Sequence, residues 1–599
     1  MALPSRKEVP TDLTWDLSAL YPNDAAWERD LTKLATEVSK FQTDFTDQLT
    51  TPEQLVAALT ALEAIEQKAT FIEHYAFLQQ ATDMTDPHYN ELLTKANQAL
   101  AQKDAKLAFF TIQAANNSAE TLEKVIQLAP RFASVIRHLK QDKKSLLAPQ
   151  TEATLALLSP TLNAPENIYT TARAADMEFL DFEVDGKTYP MSFVLYENTY
   201  QYHPNKEVRH RAFNAFSQTL KKYQDTLAAT YYTKVASEKT LATLRGYDSV
   251  FDYLLSKQEV SCELFDRQID LILNELGPVM QQYARLIQQA HGLEQMTFAD
   301  LQIDLDPDFS PKVVLADAPS YIKEAVAPLG KNYQDMVMEA FPKRWVDFAL
   351  NAGKETGGFE TTPYNAHPYI LMSWTNELAD VYTLVHELGH AGQAILTMQN
   401  NSILGCDPSM YLIEAPSTFN ELLLTHSLTA KTADPRTKRF AYTKMLTNTF
   451  YHNFVTHLLE AAFQREVYQL VDQGKTFDGA KLCAIKKQVL QKFWGDAVVI
   501  DDRAALTWMR QSHYYMGLYS YTYSAGLTIA TQAFLKLLAE PQKEVAAWLD
   551  FLKLGDQLPP LEAAKVAGVD ISTETPLKNT IAFLAQTVEQ IKELSTQLD

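Results

Sequence analysis

The sequence predicts a mainly α protein with a small β-sheet near the middle of the chain, and three observations carry that prediction. Glycine is scarce: 18 residues in 599, with none before Gly186, against a usual share of about 7%. Chains use glycine where turns need positive φ, so a long glycine-free stretch rich in Ala, Leu, Glu, Gln and Lys reads as helix after helix. Apolar residues recur at three- and four-residue steps through PEQLVAALTALEAIEQKATFIEHYAFLQQ (52–80) and LLTKANQALAQKDAKLAFFTIQAA (92–115), the helical period. That texture breaks at MEFLDFEVDGKTYPMSF (177–193), where alternation surrounds Asp185-Gly186, a two-residue hairpin signal.

Taken in order, helices are expected from 24 to about 160, then the hairpin, with a boundary near 190 dividing an N-terminal helical lobe (1–190) from the remainder (191–599). A chain this long exceeds what one core accommodates, so two or more lobes are expected. Helix resumes over 205–290, a short strand is expected in 295–305, and helix returns over 319–352. GKETGGFETTPYNAHPYILMSW (353–374) reads as a loop leading into a strand from Pro368 to Trp374. No internal repeat is evident.

Composition narrows the function classes. A formal net charge of -21 argues against a nucleic-acid partner, which needs clustered Lys and Arg. No run of about 18 apolar residues supports a membrane span. The N-terminal stretch lacks the apolar core of a secretory signal, and the three cysteines, Cys262, Cys406 and Cys483, are widely spaced, so no disulfide framework is expected. A cytoplasmic location is the reading that follows.

The chemistry concentrates in VYTLVHELGHAGQAIL (381–396). Leu378, Val381, Tyr382, Val385 and Leu388 form an apolar helix face that Thr375 or Asn376 can cap. His386 and His390 stand one above the other on another stripe, able to converge on one ion. Glu387, turned about 100° away, can reach a bound water. Chance produces such a pattern in roughly one chain of this size per hundred. A further ligand is sought on IEAPSTFNELLL (413–424), which offers Glu414 and Glu421 on one helix face. Acids in an apolar helix call for a partner. Glu414 is favoured as the ligand and Glu421 as a group orienting a ligand histidine, although spacing alone leaves both open to a surface role.

His386-Glu-Leu-Gly-His390, followed by Glu414 in Glu-Ala-Pro-Ser, resembles the thimet-oligopeptidase-like zinc metallopeptidases, and the oligoendopeptidase F branch among them. TWDLSALYPNDAAWERDL, GYDSVFDYLL, FPKRWVDF and AHPYILMSW extend the resemblance over most of the chain. It implies two helical lobes enclosing a deep substrate channel, with the small sheet beside the zinc helix. It implies one Zn2+ on His386, His390 and Glu414, with Glu387 as general base. It also implies that Pro368–Trp374 is an edge strand, its residues Tyr369, Ile370, Leu371 and Met372 receiving a peptide backbone. One departure from the family pattern is GGFETTPYNAH, where a longer Gly-Ser-rich loop is expected.

QSHYYMGLYSYTYSAG (511–526) gathers one histidine and five tyrosines. Its tyrosines either pack in a core or donate to an oxyanion. The resemblance carries His513 over, with Tyr519 and Tyr521 as expected donors and Tyr514, Tyr515 and Tyr523 held as alternatives. His452 and His457 read as surface or satisfied core residues, His426 as a weak outer partner of the metal site, and His367 as a cleft-lining residue without a catalytic role. The function expected is zinc-dependent cleavage inside short unfolded oligopeptides, by a chain favoured as a monomer. A zinc exopeptidase and a non-catalytic helical peptide-binding protein are the alternatives.

Overall fold

A computed structural model describes residues 3–598 and is about 70% helical. In chain order, the elements that position the site are α1 (Asp24–Phe45), α2 (Pro52–Thr82), α3 (Pro87–Ala115), β1 (Phe182–Val184), β2 (Lys187–Tyr189), α4 (Lys206–Leu244), β3 (Val346–Asp347), β4 (Phe359–Thr361), β5 (Tyr369–Leu371), α5 (Leu378–Asn400), α6 (Ala415–Lys431), α7 (His457–Asp472) and α8 (Gly479–Trp494). No helix among the described residues is long and apolar enough to cross a membrane.

The chain forms two compact units, each discontinuous in sequence. One comprises Met1–Pro149, Pro311–Ser427 and Ala533–Val569; the other Gln150–Ser310, Leu428–Gln532 and Asp570–Asp599. The compact units therefore differ from the contiguous segments 1–190 and 191–599. The change of texture near 190 marks a local hairpin, because compactness follows long-range packing that periodicity does not report.

In the first unit, α1, α2 and α3 pack around a core that includes Trp27, Leu34, Leu59, Ile72 and Leu92, all nearly inaccessible. Tyr369 and Leu371 of β5 belong to the same core. The sheet order is β3-β5-β4, with β3 parallel and β4 antiparallel to β5. The expectation that Tyr369–Met372 form the edge strand is thereby corrected: β5 is central. Ile370 N–H donates to Trp345 and Met372 N–H to Asp347, while Tyr369 and Leu371 face Thr361 and Phe359. A central strand has no unpaired backbone left for a ligand. β3 and β4 are the outer strands, and β4 is formed by the segment read from sequence as loop.

Faces alternate along these strands. Phe359 and Thr361 share the core side, Phe359 packing against Trp15 and Phe77 and Thr361 meeting His74. Glu360 and Ile370 therefore face the other side, toward α5, which packs against β4. A buried lysine anchors the loop before β4. Lys354 Nζ donates to Asp347 Oδ1 at 2.7 Å and to the carbonyls of Ala349 and Met372 at 2.7 and 2.6 Å.

α5 and α6 run antiparallel in contact. Tyr382 meets Thr425 (2.9 Å), Asn420 donates to the Val385 carbonyl (3.2 Å), and His386 meets Glu421 (2.6 Å), the earliest of these α5 residues meeting the latest of the α6 ones. The seam closes at Gly389, where an added Cβ would lie 2.5 Å from Pro416 O and 2.6 Å from Ser417 Cα. The start of α5 differs from the capping expected of Thr375 or Asn376. Asp380 reaches back to accept the N–H groups of Thr375 (2.7 Å) and Glu377 (3.0 Å), so Glu377 is the N-cap.

In the second unit, the 39-residue α4 is the longest helix. Its Arg209 is buried against Asp300, 2.6 Å away. The β1–β2 hairpin turns through Asp185 and Gly186, both at positive φ, whereas the strand expected in 295–305 is reduced to a single bridge between Thr297 and Val499.

Gly389→Ala tests the helix seam. Alanine gains about 1 kcal/mol of helix propensity over glycine, yet the clash with backbone is expected to cost more, for a net loss of about 1–2 kcal/mol. Urea unfolding of the metal-free chain measures it. A variant as stable as the parent or more so would show that the helices are not held this close.

Candidate metal centre and a separate histidine–tyrosine cluster

His386 and His390 project from successive turns of α5, and Glu414 immediately precedes α6, its carbonyl accepting the N–H of Thr418. His386 Nε2 and His390 Nε2 lie 3.5 and 3.6 Å from the same atom, Glu414 Oε2. Ligands held 2.0–2.1 Å from a tetrahedral zinc are about 3.3–3.4 Å apart, so both separations from Glu414 match that ion, and the three ligand atoms all lie within 4.8 Å of one another. Glu421 Oε1 lies 2.6 Å from His386 Nδ1. Accepting the Nδ1 proton leaves Nε2 with its lone pair directed at the Glu414 side. Ser417 Oγ donates to Glu414 Oε2 at 3.0 Å, fixing the carboxylate.

The electrostatics agree with a site built for a cation. Burial pushes the His386 imidazole down, but Glu421, Glu387 and Glu414 outweigh it and lift its pKa to about 10. His390 is raised against the same desolvation, chiefly by Glu414. Burial would raise the Glu414 carboxyl, yet the two imidazoles and Ser417 hold it far below the ordinary carboxylate range. The protonated imidazoles balance the carboxylates here, and a metal held by the same nitrogens would have to displace those protons.

Glu387 is buried beside the triangle, and desolvation together with the charges of Glu414 and Glu421 raises its pKa despite both histidines. Gly358, next to β4, brings the strand close: a Cβ there would lie 3.4 Å from Glu387 Oε1 and 3.2 Å from Thr383 Cγ2. Glu360 joins the same field. Burial near Glu387 lifts its carboxyl to about 7, although Thr362 and His390 pull it down. Sequence reasoning missed Glu360; an acid alternating with Phe359 and Thr361 was the available signal.

The second unit holds the other expected residues. His513, Tyr519 and Tyr523 bring their rings together, with His513 centred 5.5 Å from Tyr519 and 5.8 Å from Tyr523. Tyr521 is placed elsewhere: fully buried, it donates its hydroxyl to Gln258 and sets its ring edge against Phe265. Tyr519 and Tyr523 are four residues apart and share a side, while Tyr521 between them does not. Tyr514 and Tyr515 pack in the core against Phe463 and Tyr169.

Beneath His513 lies an assembly that the sequence did not disclose. His457, the first residue of α7, follows a π-helical segment, Met445–Thr456, that carries His452. His457 Nδ1 is 2.9 Å from Glu460 Oε2, its Nε2 is 2.9 Å from His452 Nε2, and its ring stacks on Tyr523. His513 Nδ1 lies 3.6 Å from the same Glu460 oxygen, and Ser520 donates to it at 3.2 Å. Burial would raise Glu460, but His457 above all holds it far below the usual range. Glu460, an acid on the buried face of an otherwise apolar turn, was the overlooked signal.

A helical fold in which an HExxH helix and a following glutamate converge defines a metallopeptidase class. Residues 199–583 match the model of peptidase family M3, and residues 116–179 match one described as Oligopeptidase F. The chain belongs to peptidase family M3. It is 27% identical to Oligopeptidase PepF of Bacillus subtilis (strain 168), covering 99% of this chain and 88% of that one. It is 25% identical to an oligoendopeptidase F homolog of Lactococcus lactis subsp. lactis (strain IL1403), covering 98% of each. The crystal structure of oligoendopeptidase-F from Enterococcus faecium shares the fold with a TM-score of 0.74 at 20% identity, over 96% of this chain and 99% of that chain.

Glu421→Gln is expected to weaken metal binding about 10- to 100-fold, measured by competition with a zinc-chelating dye at pH 7.5. Unchanged affinity would mean that the 2.6 Å contact with His386 does not set the ligand.

Proposed function

We propose that this chain is a zinc endopeptidase acting on short, unfolded oligopeptides. The observation that carries the proposal is the His386–His390–Glu414 triangle, which fits tetrahedral zinc, with Glu387 buried beside it. When bound, zinc supplies Lewis acidity, polarising a water and the scissile carbonyl. Glu387 takes a proton from the attacking water and later delivers it to the leaving amine. Burial raises its pKa above the ordinary glutamate value, which helps the carboxyl keep the proton between the two steps. Glu421 holds His386 in the tautomer that leaves Nε2 a donor atom for the metal.

Substrate recognition is assigned to β4 in place of the expected Tyr369–Met372. Thr361 and Phe359 pair inward with Tyr369 and Leu371, so the alternating ladder turns the backbone N–H and C=O of Glu360 to the open edge. A peptide laid there as an added strand is read through its backbone, making recognition broadly independent of side chain. The glycine at 358 permits that approach next to Glu387.

The oxyanion role is assigned to His513, Tyr519 and Tyr523. Their rings cluster, and a hydroxyl or imidazole N–H placed at developing negative charge stabilises the transition state. Tyr521 donates its hydroxyl to Gln258, which favours Tyr519 and Tyr523 over it for that role.

Cleavage of an end-blocked, internally quenched octapeptide tests the main proposal. Glu387→Gln is expected to retain zinc and to lose at least about a thousandfold in kcat. Failure of the native zinc-loaded chain to cut any end-blocked peptide, while trimming free ends, would establish the exopeptidase reading. Equal rates for both chains would remove Glu387 from the chemistry.

Within the tyrosine pair, Tyr519→Phe and Tyr523→Phe are expected to lower kcat about 10- to 1000-fold with little change in KM. Tyr521→Phe should act on stability first. The reverse pattern in steady-state kinetics would restore Tyr521 as the donor.

A further inference from the structure

In the second unit, one buried face of α7 meets the tyrosine-rich segment in a regular register. His457, Glu460 and Gln464 stand at three- and four-residue steps and are each at most 1% exposed, so they share one side of the helix. The His457 ring stacks on Tyr523, with centroids 4.0 Å apart and planes 15° apart. Glu460 Oε2 accepts from Ser520 Oγ at 3.2 Å. Gln464 Nε2 donates to the Gly517 carbonyl at 2.9 Å. Successive partners on α7 are thus matched by residues three apart on the segment, in the opposite order. Of the rings in that segment, Tyr514, Tyr515 and Tyr521 are buried, whereas His513, Tyr519 and Tyr523 keep partial exposure.

His457 is held at both ring nitrogens. Its Nδ1 faces the Glu460 carboxylate at 2.9 Å and therefore carries a proton, which it donates. Its Nε2 lies 2.9 Å from His452 Nε2, one nitrogen donating and the other accepting. That second contact depends on a local departure from the α-helix. Residues five apart on an α-helix point about 140° away from each other. The π-helical turn instead bonds the His457 N–H to the His452 carbonyl and brings the two side chains to one side. An imidazole engaged at both ends has a fixed plane, and the ring stacked on it takes its place from that plane. We infer that His457 is the positioning residue for the Tyr523 hydroxyl, with Glu460 and His452 as its two anchors; its part in catalysis rests on the oxyanion role proposed for Tyr523.

His457→Asn is the informative variant, because its amide nitrogen can take the place of Nδ1 beside Glu460 while the ring and the link to His452 are lost. Crystal structures of parent and variant are expected to show the Tyr523 ring displaced by about 1 Å or more, a shift large enough to matter in catalysis. A ring in its original place would overturn the assignment, whatever the activity. Kinetics of the zinc-loaded chain on the end-blocked octapeptide then separate positioning from packing. His457→Asn is expected to lower kcat about 10- to 100-fold with KM within about twofold of the parent. In the Tyr523→Phe background, where the ring remains and the hydroxyl is gone, the same change is expected to cost about threefold or less. Equal losses in both backgrounds would overturn the proposal, since a packing defect does not depend on one hydroxyl. A silent Tyr523→Phe would instead remove the oxyanion role itself, and the catalytic part of His457 with it, even where the ring is seen to move. His452 is exposed, so its replacement leaves the core intact. His452→Leu is expected to lose about 3- to 10-fold in kcat, the worth of one hydrogen bond, and His452→Gln, which restores a nitrogen at the Nε2 place, to recover most of it. Full activity in His452→Leu, or no recovery in His452→Gln, would remove His452 as an anchor.

Discussion

The close approach of α5 and α6 is the constraint on which the candidate metal centre depends. A metal triangle built from two helices needs their axes near enough for a short carboxylate to reach two imidazoles. Here the distance is set by Gly389, whose missing Cβ lets the backbone of Pro416 and Ser417 lie against α5. With the seam closed, the direction of α6 does the rest. Antiparallel registry brings Glu421 to one side of His386 and Glu414, the residue just before α6, to the other, so the start of one helix places both the candidate ligand and the group that orients His386. The glycine inside the HELGH segment is thus as much a part of the site as the histidines that flank it.

The sheet supplies the second layer of order. Its inner face belongs to the core built by α1, α2 and α3, and its outer face turns Glu360 toward the buried acids and imidazoles of α5. Lys354 pins the preceding loop by gathering carbonyls from both ends of the turn and the carboxylate of Asp347. A buried amine with that many acceptors is fixed in place, and the edge strand inherits its rigidity.

Much of this was legible in the sequence, for reasons that differ by residue. The helices of 24–160 were visible because periodicity and glycine scarcity are local signals, and the Asp185-Gly186 hairpin because its turn demands positive φ. His386, His390 and Glu387 were readable from spacing on one helix. Glu414 and Glu421 were candidates by chemistry, and only the fold shows that Glu414 neighbours both Nε2 atoms while Glu421 neighbours Nδ1 of His386. The central position of β5 was hidden, because strand order is a long-range property that an apolar run such as Tyr-Ile-Leu does not encode. The same holds for Tyr521 against Tyr523: both carry the same group, and burial alone decides which meets His513. His457 and Glu460 look ordinary in a helical stretch until the fold brings Ser520 and His513 over them. The discontinuous units were beyond any reading of texture, since each is stitched from three segments.

That stitching has a consequence for how the chain comes into being. α5 and α6 are synthesised well before residues 533–569, which belong to the same unit. Phe419 of α6 stacks on Trp548 from that late segment, ring centroids 4.0 Å apart. While the ribosome is still making the intervening stretch, α6 lacks this cover and an apolar flank stays open to water. The metal centre is therefore expected to mature after translation is nearly complete, so a truncated or stalled product carries the motif without the enclosure that makes it a site.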